Sequence, residues 1–194
     1  MDRDERQLRS IATKFETREA EDGTPHITGY FAVFNSNYEI AQGLSESIAP
    51  GAFSRTLGEN PDVRALINHD TTLVLGRTKA GTLKLRQDEI GLWGDVAINP
   101  NDGDAMNLYE RVKRGDVDQC SFGFAIRSEV ADVSPTGDVH WTIKDVDLFE
   151  VSACTFPAYQ ATSISAREAQ RDEIKRRSLA AWKENMKGVL KHGS

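Results

Sequence analysis

Along most of this chain, apolar and polar residues alternate with the two-residue period of a strand, in short runs. Residues 9–17 place Ile11, Thr13, Phe15 and Thr17 at alternate positions and predict a first strand. Glu21-Asp22-Gly23-Thr24-Pro25 reads as a turn. A strong strand pattern follows at 26–34 (HITGYFAVF), where Gly29 predicts a bulge or tight bend. Asn35 to Tyr38 read as a loop. Further strands are predicted at 63–69 (VRALINH), 73–75, 83–86, 91–98, 117–127, 139–146 and 148–155, the last closed by Pro157. Ser47 to Phe53 lead into a short helix over 51–58. Residues 102–114 carry Met106, Leu108, Tyr109 and Val112 at helical spacing behind an acidic start, and Gly115 ends that helix. Many short strands with two short helices predict a mainly β chain with flanking helices (α+β), arranged as a small, mainly antiparallel β-barrel.

Near Ser165 the pattern changes. Residues 167–191 hold eight Lys or Arg and four Asp or Glu, with no proline. Leu179, Trp182, Met186 and Val189 form one apolar stripe at helical spacing, so this stretch predicts a single basic amphipathic helix. The chain therefore divides into a barrel domain, 1–164, and a C-terminal helix or linker, 165–194. The tail reads as a helix docked on the barrel, a partner-binding helix, or a linker toward a further segment.

Composition narrows the function classes. A length of 194 residues suits one domain with an appendage. A net charge of -6 argues against nucleic-acid binding, which needs clustered Lys and Arg. The two cysteines, Cys120 and Cys154, lie within apolar runs and read as buried thiols rather than a disulfide. No Cys/His cluster has zinc spacing, and neither a metal nor an organic cofactor is expected. The charged start MDRDERQLRS has no apolar signal core, and no run reaches the ~20 apolar residues of a membrane span. The expectation is a soluble, intracellular protein without a membrane partner.

Three segments carry candidate chemistry. His69 follows an apolar run and precedes the polar turn Asp70-Thr71-Thr72, where an imidazole can accept a hydroxyl proton. Asp70, as the next residue on an extended chain, points away from it. In Asp118 to Phe124, strand alternation puts Cys120, Phe122 and Phe124 on a core face and Ser121 beside Gly123 on the other. A glycine there leaves room for a substrate backbone. In Leu148 to Thr155, Phe149, Val151 and Ala153 share one face, and Leu148, Glu150 and Ser152 the other. A Glu in so apolar a strand calls for a partner or a role, and Glu150 can orient an imidazole. Each of the three also has a structural reading, as a hydrogen-bonded His, a surface Ser and a salt-bridged Glu.

Taken together, LINHD, then DQCSFGF, then LFEVSACTFPAYQAT resemble the phage prohead proteases, capsid-maturation serine proteases related in fold to the herpesvirus assemblins. ITGYFAVFN and ESIAPGAFSRTL extend the resemblance over residues 9–162. It implies a serine endopeptidase with Ser121 as nucleophile and His69 as base. The third member is Glu150 or, as in the herpesvirus relatives, a second histidine, here His140. It also implies cleavage of scaffold, of the major capsid protein and of the protease itself, inside an assembling prohead in the host cytoplasm or from an integrated prophage. Homo-oligomerisation is a further expectation. Two readings compete: Cys120 as nucleophile, and a catalytically inactive capsid-assembly or scaffolding factor that docks through the barrel and C-terminal helix.

Overall fold

A long antiparallel hairpin of β10 (Gln119–Val133) and β11 (Val139–Cys154) organises the fold. The computed structural model describes residues 6–12, 14–156 and 161–192. In β10, Cys120, Phe122 and Phe124 are fully buried on one face, as the alternation predicts. The two strands predicted at 139–146 and 148–155 are one continuous strand. It carries a bulge at Phe149, because Gly123 pairs with Glu150 while Phe124 pairs with Leu148. The extra residue resets the alternation. Leu148 joins the core and Phe149 is exposed, the reverse of the pattern read from the sequence.

Around this hairpin a seven-stranded sheet forms. Strand β1 (Gln7–Ala12) pairs antiparallel with the outer edge of β10. At the Glu150 end of β11, β6 (Arg64–Ile67) runs parallel to it and pairs in turn with β7 (Asp70–Arg77). At the other end, β5 (Leu44–Ile48) runs parallel to β11 and carries β4 (Tyr38–Ala41). A second, antiparallel sheet holds β2 (Glu16–Glu19), β3 (Pro25–Val33), β9 (Gly91–Ala97) and β8 (Leu83–Gln87) in that order. Ile27, Phe31, Leu92 and Val96 of the second sheet share one core with Phe122, Phe124 and Val151 of the first.

No closed barrel is found among the described residues. Among the described residues the strands form two sheets, and β1 and β4 end the path of the larger one without pairing. A side chain spans that gap instead, where the Tyr38 hydroxyl donates to the Ser10 carbonyl. Helix α1 (Ser54–Gly58) is shorter than predicted. Helix α2 (Gly103–Arg114) matches its prediction, with Asp102 accepting from the Asp104 and Ala105 amides at its start and Gly115 left-handed at its end. Pro157 and Thr13 lie outside the described residues.

Helix α3 (Ala161–His192) begins a few residues before the predicted tail. It docks on the larger sheet through its first turns rather than through the predicted stripe. Arg167 is fully buried, stacks 4.6 Å over Trp141, and bonds Glu46 and Glu129 at 2.8 Å each. Ile174 packs on the cluster of Leu44, Val139 and Trp141. Leu179 and Trp182 are exposed, and the side chains of Met186 and Val189 lie outside the described ones. Removing Arg167 takes a buried cation from Glu129 and leaves Glu46 with Arg9 alone, so Arg167→Met is expected to destabilise the chain by about 3 kcal/mol. Urea unfolding measures it, and a loss below about 1 kcal/mol, the worth of a surface pair, contradicts this docking.

Candidate active site

Ile67 of β6 pairs with Asp70 of β7, which leaves Asn68 and His69 as the two central residues of the turn. Their φ angles are 50° and 63°. Two consecutive left-handed residues mark the tight turn that matches strand twist. Asparagine and histidine tolerate this backbone better than most side chains, and the surroundings fix it. The Asn68 amide donates to the Ala153 carbonyl at 2.9 Å, and Asn68 Oδ1 accepts from the Thr155 amide at 2.9 Å. The turn is thereby stitched to the end of β11. His69, predicted as the last residue of a strand, is held in the turn and folds back over that sheet.

The imidazole meets Glu150: His69 Nδ1 lies 2.7 Å from Glu150 Oε1. A carboxylate accepts and does not donate, so in the neutral ring Nδ1 carries the hydrogen and Nε2 the lone pair. Nε2 faces the sulfur of Cys154 at 3.7 Å. Glu150 is buried, and two further donors serve it. Arg6 Nη2 reaches Oε1 at 2.8 Å, and the Ser152 hydroxyl reaches Oε2 at 2.7 Å. Burial alone pushes the Glu150 carboxyl up. The hydrogen bond and charge of His69, with the hydrogen bonds of Ser152 and Arg6, outweigh it and hold the group below the usual range. Burial and the Glu150 charge push the Cys154 thiol up to about 12, so it is protonated at neutral pH.

Ser121 shares this face of the sheet. It sits directly opposite Ser152 across the β10–β11 ladder and opposite Ser10 across the β1–β10 ladder. It is fully buried, and its hydroxyl donates to the Arg9 carbonyl at 2.9 Å. A serine hydroxyl has one proton, so in this arrangement it goes to a backbone carbonyl of β1 rather than to His69.

The structure thus joins His69 to Glu150, places Ser121 on the adjacent strand, and sets the other candidates apart. His140 lies ten positions before Glu150 on β11, about 30 Å along an extended strand, with its ring nitrogens 2.8 Å from the Ser45 and Ser47 hydroxyls. The proposed second histidine is therefore part of the β5–β11 contact. Cys120 is fully buried on the core face, among the phenylalanines and away from the Glu150 face, and its thiol donates to the Tyr30 carbonyl at 3.1 Å. Asp70 accepts from the Thr72 amide and hydroxyl. Ser152, Asn68 and Arg6 are the site residues that the sequence reading passed over. Ser152 was within reach of it, since alternation alone puts it on the Glu150 face. Among the described residues no group of three or more His, Cys, Asp and Glu side chains has the geometry to hold a metal ion.

A family model described as caudovirus prohead serine protease matches residues 13–177. The chain belongs to that family. The prohead protease of Enterobacteria phage HK97 is 29% identical over 165 residues, covering 84% of this chain and 69% of the phage protein. The fold is similar to that of the bacteriophage T4 capsid assembly protease, with a TM-score of 0.52 at 11% identity over 77% of this chain and 97% of that one. The family match takes in β2 through the docked turns of α3, so this prohead protease relative carries its His69–Glu150 pair and Ser121 inside the matched region.

The lowered Glu150 carboxyl has a consequence for stability. Because its folded-state value is depressed, its contribution is present at neutral pH and is lost as pH falls below about 4.5 through the folded value. Glu150→Gln lacks that titration, so the stability gap between the native chain and the variant should narrow from pH 7 to pH 3 in denaturant titrations. A constant gap contradicts the assignment.

Proposed function

We propose that this chain is a serine endopeptidase of capsid maturation, with Ser121 as nucleophile, His69 as general base and Glu150 as the group that orients it. The observation that carries this reading is the 2.7 Å contact of His69 Nδ1 with the buried Glu150 carboxylate. It leaves Nε2 as the basic nitrogen, and Glu150 stabilises the imidazolium formed when Nε2 takes a proton. Ser121 Oγ attacks the scissile carbonyl carbon as its proton passes to Nε2. His69 then gives the proton to the leaving amine, and water releases the acyl group by the reverse relay. For that, the Ser121 hydroxyl must first leave the Arg9 carbonyl. The cleavage substrates are the scaffold and the major capsid protein, with self-cleavage, inside the assembling prohead. Membership of the prohead protease family and the names of the similar phage proteins support this reading.

The competing reading, an inactive assembly factor, draws on the same Ser121–Arg9 bond, which keeps the hydroxyl away from its base. Co-expression with the cognate capsid protein separates the two. The native chain should yield shortened capsid protein by mass spectrometry. Ser121→Ala should yield proheads of full-length capsid protein. Equal processing by both contradicts Ser121 as nucleophile, and full-length protein from both favours the assembly factor.

A further inference from the structure

Glu150 takes more hydrogen bonds than orienting an imidazole requires. Its Oε1 receives His69 Nδ1 and Arg6 Nη2, and its Oε2 receives the Ser152 hydroxyl. We infer that Arg6 and Ser152 are positioning residues of this site: Ser152 fixes the rotation of the Glu150 carboxylate, and the Arg6 cation, sharing an oxygen with His69, sets the pH at which the imidazole takes a proton. This rests on the reading of His69 as the base.

A buried carboxylate alone favours the protonated ring, and a protonated ring cannot accept the proton of Ser121. A guanidinium on the same oxygen opposes that bias, because it neutralises part of the carboxylate charge and stands close to the imidazole. The neighbouring charged and titratable groups are otherwise engaged. Arg64 pairs with Glu150 across the β6–β11 ladder, but its guanidinium bonds Asp62 at 3.4 Å. Asp70 is taken up by Thr72, and Cys154 holds its proton. Space also constrains the carboxylate. A Cβ on Gly123 would lie 2.5 Å from Glu150 Oε1, so the carboxylate occupies the volume that a side chain at that position needs. Ser152 lies two positions from Glu150, on the same face of β11, and closes the other oxygen.

Arg6 is 40% exposed along its side chain, so water screens its charge and the effect is moderate. The test follows the ring signals of His69 by NMR against pH in the full chain, assigned with His69→Gln. Arg6→Gln should raise the titration midpoint of His69 by roughly 0.5 to 1 pH unit, and Arg6→Lys, which keeps the charge, should return it to the native value. An unmoved midpoint in Arg6→Gln, or a lysine variant that behaves like glutamine, overturns the role of Arg6. Ser152→Ala should lower kcat about tenfold with KM unchanged, and Ser152→Thr should restore it. Native kcat in Ser152→Ala overturns the role of Ser152. The titration needs no substrate: a chain that shifts as described yet cuts no capsid protein refutes the protease reading alone, whereas an active protease with an unmoved midpoint refutes the inference about Arg6.

Discussion

A carboxylate buried on the face of a sheet either finds donors or gives up its charge, and the site is built around that constraint. Glu150 finds three donors: a ring nitrogen from the β6–β7 turn, a guanidinium from just before β1, and a hydroxyl from its own strand. Each comes from a different part of the chain, and local backbone features bring the carboxylate and the imidazole together. The bulge at Phe149 sets which face Glu150 takes. The left-handed pair Asn68-His69 turns the imidazole back over β11. Without a side chain at Gly123, the carboxylate has room over β10. A one-residue slip in the β10–β11 register would send Glu150 into the phenylalanine core, so the burial of Phe122 and Phe124 and the position of Glu150 specify each other.

Strand β1 links the site to the rest of the molecule. Arg9 donates to Glu46, which also receives Arg167 from α3, and the Arg9 carbonyl accepts the Ser121 hydroxyl. Burial pushes the Glu46 carboxyl up, but the two arginines outweigh it and keep the group ionised. The strand that covers Ser121 is thus tied by its side chains to the sheet end where the C-terminal helix docks. Tyr38 adds a second tie through the Ser10 carbonyl.

Much of the fold was legible in the sequence. The alternation in DQCSFGF put Ser121 on the face away from the core, and the acidic start and glycine stop of 102–114 marked α2. Strand β5 was not legible, because LSESI sets three polar residues in a row, and they gain partners only in the folded sheet: Glu46 for two arginines, Ser45 and Ser47 for His140. The faces of Leu148 and Phe149 were misread, since this bulge depends on the partner strand and no glycine marks it. The barrel is not confirmed for a related reason, as strand count does not reveal where a sheet path ends. His69 and Glu150 were read as partners, but the backbone turn at Asn68 that brings them together was concealed by a strand pattern ending at residue 69.

The most direct measurement is covalent labelling of the assembled particle with a serine-directed fluorophosphonate, with the modified residue located by peptide mass spectrometry. The account predicts an adduct on Ser121 that disappears in His69→Ala and persists in Cys154→Ala. An adduct on another residue, or labelling of Ser121 that survives the loss of His69, contradicts it.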